Sequence, residues 1–162
     1  MEKTRSLDQI WHVLQEVKDP EIPVLSLVDL KVVRDVKMED GCVIVTMTPT
    51  FAGCPAMEQM KSDVLDSLHA KGYAEVRIET VLSPSWTTDA LTDETKERLR
   101  VFGIASPPKK QESLEVTLLV PVPCPFCSST ETKLESSFGA TLCKQLFYCD
   151  HCKQSFERFK PL

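Results

Sequence analysis

The chain has 162 residues, of which 42% are hydrophobic and 27% are charged, a composition typical of a globular protein with one ordinary domain and a small module. The net charge is −5: residues 1–105 carry 12 basic against 18 acidic side chains, and residues 106–162 carry 7 against 6. Neither part is the basic surface that nucleic-acid binding usually requires. Because there is no apolar run of ~20 residues and no secretory leader, we expect a cytoplasmic protein that binds neither nucleic acid nor membrane.

The first part of the chain predicts helices and strands in turn. The first helix is capped by Ser6 or Asp8 and runs to about Val17, because a turn with two prolines, DPEIP, follows it. Two strands joined by a tight turn at residues 39–41 come next. A second helix begins at Pro55 and presents an apolar stripe before a glycine ends it.

The rest of this part predicts a strand over residues 74–82 and a helix from about Thr92 to Gly103, which gives the order α-β-β-α-β-α. Polar residues with two prolines follow, and then a short run typical of a strand, LEVTLLVPV. We therefore expect an α+β fold in three parts: a domain over residues 1–105, a linker with a connecting strand over 106–120, and a zinc-ribbon-like domain over 121–162.

Two CxxC pairs near the C-terminus predict a metal site. Cys124 and Cys127 form the first pair, Cys149 and Cys152 form the second, and 21 residues separate the pairs. Each CxxC turn can direct two thiolates at one ion, so two turns complete a tetrahedral site of four sulfurs, and the spacer suits a short β-hairpin. Structural zinc is the default occupant, while iron or an iron–sulfur cluster stays open because the same ligands hold it.

Two further side chains in this region could take part in chemistry. Cys143 is either a packed core residue or an additional thiol, accessible or ligating, and the sequence leaves both readings open. His151 lies inside the second CxxC turn. Since four thiolates already fill a tetrahedral site, we interpret His151 as a solvated loop residue.

Cys54 stands apart from these cysteines, between Gly53 and Pro55. Proline suits the first position of a helix, which places Cys54 at the N-cap, where exposed backbone N–H groups and the helix dipole favour an anion. The pKa of a thiol in that place is lowered, so the thiol is more nucleophilic and binds metal more readily. The alternative is that Cys54 is a small buried residue at the start of a core helix.

Four more side chains have alternative interpretations. Asp19 and Glu21 of the DPEIP turn are either metal-facing carboxylates or residues that shape the turn. Trp86 is most simply a packing residue, although a tryptophan in a polar loop can also contact a partner. Cys42 begins a strand among apolar neighbours and is interpreted as packing.

Three segments together resemble the metal–sulfur cluster biosynthetic family, whose members share the Fe–S cluster assembly domain fold: DPEIPVLSLVDL, TPTFAGCPAME and PSWTTDALTDETKERLRVFGI. The cysteine-rich end is similar to the ribbon of the PaaD-like members, which are encoded with the phenylacetyl-CoA epoxidase. The resemblance extends from about Ile10 to Lys160. One departure is Lys31, which stands where the family often has glycine and makes the local turn geometry an open question.

The resemblance implies an accessory protein without intrinsic catalytic activity that assembles or delivers iron or Fe–S clusters. Cys54 would be its reactive residue, assisted by Asp19 or Glu21, and the role of Cys143 stays open. The implied partners are the phenylacetyl-CoA epoxidase components, above all the reductase with its 2Fe–2S cluster. A homodimer or the client would supply further ligands, since one thiolate does not hold a cluster alone. The alternatives are a structural or regulatory subunit of the oxygenase and, with less support, a thiol enzyme.

Overall fold

The computed structural model describes residues 6–105 and 121–160, which form two compact units. The first unit ends at Trp86, and the second begins at Thr87. The elements of the first unit are α1 (Leu7–Glu16), β1 (Val33–Glu39), β2 (Cys42–Met47), α2 (Met57–Ala70) and β3 (Val76–Thr80). Those of the second are α3 (Asp93–Phe102), β4 (Ile104–Ala105), β5 (Thr132–Ser136), β6 (Lys144–Cys149) and β7 (Ser155–Phe159).

The first unit is a three-stranded sheet with two helices, in the predicted order. Its strand order is β1-β2-β3, with β1 antiparallel and β3 parallel to β2. The sheet and helices share an apolar core, because the buried side chains of α1 and α2 lie at helical spacing. These helix residues are Ile10, Val13, Leu14, Met57, Met60, Val64 and Leu68.

Local sequence explains how several of these elements begin and end. The Ser6 side chain accepts a hydrogen bond from the backbone N–H of Gln9, which caps α1. The turn between β1 and β2 has positive φ at Asp40 (49°) and Gly41 (81°), as a type I′ hairpin turn requires. Gly72 follows α2 with φ 84°, the left-handed conformation that commonly ends a helix.

The prediction that α2 begins at Pro55 with Cys54 as its N-cap is wrong. The helix begins at Met57, and Ala56 is its N-cap, without a side-chain cap. The Met57 N–H bonds to the Cys54 carbonyl three residues back, whereas the Met60 N–H bonds to the Ala56 carbonyl four residues back. Cys54 therefore begins a tighter turn that leads into the helix, and the regular α-helical bonding starts two residues later.

The second unit joins α3 to the ribbon. Thr92 caps α3, and Gly103 ends it with φ 96°, both as predicted. The short strand β4 follows at once and pairs in parallel with β7, so the sheet order is β4-β7-β6-β5. The compact unit thus begins at Thr87, whereas the sequence placed α3 in a first domain ending at residue 105. A two-residue strand has no periodicity that could have revealed this pairing.

The spacer between the CxxC pairs contains the predicted hairpin, since β5 and β6 pair antiparallel. A small core of Ala105, Val122, Cys124, Phe147, Cys149 and Phe156 lies beside this sheet. The expected linker and most of the expected connecting strand, up to residue 120, lie outside the described residues. Within residues 6–105 and 121–160, no helix is long and apolar enough to cross a bilayer.

Candidate functional site

The four cysteines of the CxxC pairs meet at one point in the second unit. Their sulfur atoms all lie within 4.8 Å of one another. Cys124 Sγ is 3.6 Å from Cys152 Sγ, and Cys127 Sγ is 3.6 Å from Cys149 Sγ. A disulfide would bring two sulfurs to about 2.05 Å, so these thiols are not oxidised to each other. Four sulfurs placed about 2.3 Å from a central ion are about 3.8 Å apart, close to the observed separations.

Each CxxC segment folds into the same knuckle. In the first knuckle, Cys124 to Ser129, the Ser128 N–H donates to the Cys124 carbonyl and the Cys124 N–H donates to the Ser129 carbonyl. In the second knuckle, Cys149 to Gln154, the same bonds join Lys153 to Cys149 and Cys149 to Gln154. Ser128 and Lys153, which follow the second cysteine of each pair, both have positive φ, 62° and 63°. The repeated backbone geometry directs all four side chains inward.

The thiols of this cluster ionise unequally. Burial, together with the neighbouring sulfurs of Cys127 and Cys124, raises the pKa of Cys152 to about 12. Burial opposes ionisation of Cys149 as well, but hydrogen bonds from the backbone N–H groups of Cys152 and His151 and from neighbouring thiols together outweigh it and lower the pKa of Cys149 to about 7. Four thiolates at this distance need a cation between them, and a divalent ion with tetrahedral preference fits this donor set.

Two lysines contact the second knuckle at Asp150. Lys133 Nζ is 2.9 Å from Asp150 Oδ1, and the Asp150 N–H donates to the Glu131 carbonyl over 2.8 Å. Lys153 Nζ donates to the Asp150 carbonyl oxygen. Both lysines therefore bind Asp150, the residue that follows Cys149 in the second knuckle.

Cys143 and His151 lie outside the four-sulfur cluster. Cys143 is 6% exposed, and its sulfur is 3.1 Å from the Thr141 hydroxyl. Its carbonyl accepts a hydrogen bond from the Lys160 N–H, which fixes this part of the chain beside β7. His151 is exposed in the second knuckle.

Cys54 occupies a second position, in the first unit. It is partly buried in the loop that follows β2, and its N–H donates to the Phe51 carbonyl. Gly53 has φ 119°, a conformation in which a side chain would be strained. In the register, Val33, Met47 and Thr80 lie side by side. The loop before β1, the loop with Cys54 and the loop after β3 therefore leave the sheet at the same end.

Hydrogen bonds join these three loops at the sheet end. The Thr48 hydroxyl donates to the Val81 carbonyl, and the Thr48 N–H donates to the Val32 carbonyl over 2.8 Å. The indole N–H of Trp86 donates to the Leu30 carbonyl over 2.6 Å, and Trp86 is 3% exposed. These hydrogen bonds therefore hold the start of the Cys54 loop against the two neighbouring loops. Nothing in the sequence pattern identified Thr48 as a residue that connects the loops.

The carboxylate of Asp19 takes part in its own turn. Asp19 is 8% exposed, and its Oδ1 accepts hydrogen bonds from the N–H groups of Glu21 and Ile22, both over 2.8 Å. This geometry is that of an Asx turn. Glu21 itself is exposed. In the described part of the chain, Cys54, Asp19 and Glu21 do not belong to a group of three or more clustered metal-ligating side chains, whereas the four ribbon cysteines do.

Cys42 begins β2 and Arg100 lies in α3, so neither belongs to the four-sulfur cluster or to the Cys54 loop. Cys42 is partly buried at the start of β2, and its sulfur lies 3.8 Å from the Val43 carbonyl oxygen. Arg100 of α3 donates to the carbonyl of Pro125, inside the first knuckle, over 2.7 Å. Sequence reasoning missed Arg100, because its partner is 25 residues away and belongs to a segment assigned to another domain.

Comparison with known proteins identifies both parts of the chain. Residues 7–80 match the family model described as iron-sulfur cluster assembly protein, and residues 107–160 match the PaaD zinc beta ribbon domain. The chain is 44% identical to a putative 1,2-phenylacetyl-CoA epoxidase subunit of Escherichia coli strain K12, over 94% of this chain and 91% of the relative. It is 37% identical to a Fe-S protein maturation auxiliary factor of Porphyromonas gingivalis, over 54% of this chain and 84% of the relative.

Solved structures support the fold of the first unit. A domain of unknown function, DUF59, from Bacillus anthracis is 29% identical with a TM-score of 0.53, covering 57% of this chain and 89% of that one. A conserved hypothetical protein from Thermotoga maritima is 29% identical with a TM-score of 0.52, covering 61% of this chain and 98% of that one. About three fifths of this chain thus suffices to match most of the length of each of these two solved chains.

Proposed function

The chain belongs to the PaaD-like family, in which an iron–sulfur cluster assembly domain is joined to a zinc ribbon, and we propose that it is a maturation factor for the phenylacetyl-CoA epoxidase system. Its task is to assist the assembly of an Fe–S cluster or iron centre in the epoxidase components. The 2Fe–2S reductase is the first client to test. Relatives named as Fe-S protein maturation auxiliary factors support the role in assembly, and the relative named as an epoxidase subunit supports the choice of client.

The observation that carries the proposal is that the chain has two separate sulfur sites. The ribbon cluster brings four thiols together and satisfies the coordination of one ion, as structural zinc sites do. Cys54 is a single, partly buried thiol in a different compact unit. A site closed by four ligands retains its metal, whereas a single thiol binds a metal or cluster only together with ligands from elsewhere.

Cys54 therefore serves as a transient ligand for iron or for a cluster in transfer. The other ligands come from the client or from a second copy of the chain. Asp19 shapes the DPEIP turn through its Oδ1, and Glu21 is exposed on the same turn, where a metal in transit can reach it. The ribbon holds zinc and contributes a stable surface for docking. Reduced cysteines of this kind require a reducing compartment, and the cytoplasm provides one.

Co-expression with the epoxidase components tests this proposal. The variants are Cys54→Ala and, as the matched control, Cys42→Ala, since Cys42 is also a partly buried thiol of the first unit. We expect the reductase made with the Cys54 variant to contain less iron and sulfide per chain, whereas the Cys42 variant supports normal loading. Normal cluster content and full epoxidase activity with Cys54→Ala would refute the role of Cys54.

A structural or regulatory subunit of the oxygenase is the second candidate, favoured by the relative named as an epoxidase subunit. Such a subunit would purify with the oxygenase at a fixed ratio and would be indifferent to Cys54→Ala. The same co-expression experiment therefore separates the two functions, because only an assembly factor changes the metal content of a partner.

A further inference from the structure

Helix α3 is bonded to the first knuckle through one side chain. Arg100 Nη1 donates to the carbonyl of Pro125, the residue after Cys124, over 2.7 Å. The other nitrogens of its guanidinium are held by Glu97, with Nε and Nη2 2.8 and 2.7 Å from the two carboxylate oxygens. Glu97 thus orients the planar group so that its remaining edge faces the knuckle.

A second contact joins the end of α3 to the same knuckle. Phe126, which follows Pro125, lies against Gly103, the residue that ends α3. A Cβ added to Gly103 would lie 3.1 Å from Phe126 Cζ, so the close approach depends on glycine. Between the helix and the knuckle lies a groove of about 280 Å³, whose lining includes Lys96 and Cys124. The two contacts therefore hold α3 beside a ligand-bearing turn.

The second knuckle makes an equivalent contact with a side chain of its own. The residue after Cys149 is Asp150, and its carbonyl oxygen accepts a hydrogen bond from Lys153 Nζ. Pro125 and Asp150 occupy equivalent positions, and each carbonyl receives a cationic donor. Lys153 belongs to its own knuckle, whereas Arg100 comes from a helix outside the ribbon sequence. The first knuckle thus relies on a helix for a contact that the second knuckle makes internally.

We propose that Arg100 is a positioning residue of the four-cysteine metal site and that α3, which carries Arg100, helps this site to retain its metal. Arg100 holds the Pro125 carbonyl, which fixes the backbone that carries Cys124 and Cys127. Conversely, a bound metal fixes the conformation of the knuckle, and α3 then packs against a rigid surface. Metal loading of the ribbon and ordering of α3 are therefore coupled. This inference concerns metal retention by the ribbon and does not depend on the role of Cys54.

The experiment uses the full chain as wild type, Arg100→Gln and Lys153→Gln, each loaded with zinc. Transfer of zinc to a chromogenic chelator gives the release rate, and hydrogen exchange gives the protection of the amides in residues 93–102. We expect Arg100→Gln to release zinc about 10-fold faster, the lower end of the effect of lost outer-shell bonds, and to exchange faster in α3. Lys153→Gln replaces the equivalent cationic donor by a shorter, uncharged side chain but leaves α3 protected as in wild type.

Zinc-free wild type provides a test that needs no substitution. We expect faster exchange in α3 after the zinc is removed by a chelator, while the amides of α1 and α2 in the first unit keep their protection. Equal α3 protection with and without zinc would overturn the coupling. Wild-type zinc release from Arg100→Gln would overturn the positioning role, and loss of α3 protection in Lys153→Gln would show that the effect is not specific to Arg100.

Discussion

The indole N–H of Trp86 donates to the carbonyl of Leu30 across 2.6 Å, and both residues are buried, at 3% and 1% exposed. This bond joins the loop that follows β3 to the loop that precedes β1. Both loops leave the end of the sheet from which the Cys54 loop departs. Trp86 therefore joins two of the three loops at this end of the sheet through a hydrogen bond, in addition to its packing.

Substitution of Trp86 by phenylalanine tests the value of that bond. Phenylalanine keeps much of the apolar surface but leaves the buried Leu30 carbonyl without its donor, a loss worth about 1–3 kcal/mol of unfolding free energy. Urea denaturation of the full chain measures the difference. Trp11→Phe, at a half-buried position of α1, is the control and is expected to cost less. Equal losses in the two variants would show that the Trp86 hydrogen bond contributes little.

Lys31, the residue after Leu30, has φ 58° and so lies in the left-handed region. This conformation strains a residue with a Cβ by roughly 1–2 kcal/mol, while glycine adopts it freely. We expect Lys31→Gly to raise the unfolding free energy by about 0.5 kcal/mol, the strain relief being offset in part by the greater freedom of glycine in the unfolded chain. Lys31→Ala keeps the Cβ and is the control, for which no gain is expected in the same denaturation experiment.

The sequence predicted those parts of the fold that depend on neighbouring residues. Ser6 caps α1, Asp40 and Gly41 form the hairpin turn, and Thr92 and Gly103 bound α3, because capping and turn formation are decided within a few residues. The left-handed conformation at Lys31 was not predicted, since the glycine that the family often has there only made the turn geometry an open question. It follows from the fold around it, since nothing in the lysine itself favours positive φ.

The candidate sites were predictable to the extent that their ligands are close in sequence. Two CxxC spacings were enough to propose the four-sulfur cluster, because each knuckle closes over five or six residues. The bond from Arg100 to Pro125 and the pairing of β4 with β7 were not predictable, since both depend on how the second unit folds back on itself. The start of α2 was misplaced because proline at residue 55 suits a tight turn as well as a first helical position.

The ion pair of Lys144 and Glu157 in the ribbon sheet is expected to behave as a buried pair. Their charged atoms are 2.6 Å apart, and the side chains are only 5% and 21% exposed. Glu157 also accepts a hydrogen bond from the Ala140 N–H. Glu157→Ala leaves a buried ammonium without its partner, so we expect a loss of about 2–4 kcal/mol in the unfolding free energy of zinc-loaded protein.

Two controls define the origin of that loss. Lys144→Met combined with Glu157→Leu removes both charges and is expected to be much less harmful than Glu157→Ala alone, as replacement of buried pairs by apolar side chains often is. Asp35→Ala breaks the exposed pair with Lys37, whose charged atoms are 3.7 Å apart, and should change stability by less than about 1 kcal/mol. A double variant as unstable as Glu157→Ala would attribute the loss to packing instead of charge.

Metal uptake by the four-cysteine cluster is expected to release protons. In the metal-free protein, burial and the neighbouring sulfurs raise the pKa of Cys152 to about 12. A backbone hydrogen bond at Ser129 lowers the pKa of Cys127, but burial and the hydrogen bond to Cys149 outweigh it, so that this pKa is also raised. Both thiols are therefore protonated at pH 7.5 and lose their protons when they bind a cation. Uptake of one zinc ion should release at least these two protons, measured with a pH indicator in weak buffer.

The release of these protons determines how the affinity for zinc changes with pH. Because metal-free protein holds at least two more protons than loaded protein, acidification favours the metal-free state, and each drop of one pH unit lowers the apparent zinc association constant by at least about 100-fold. Stabilisation by zinc is therefore present at neutral pH and is lost as the pH falls. Competition with a chelator of known proton affinity, between pH 8 and pH 6, measures the slope. A slope below two protons per zinc would contradict binding through all four thiolates, and Cys152→Ser provides the comparison in which one of these protons is absent.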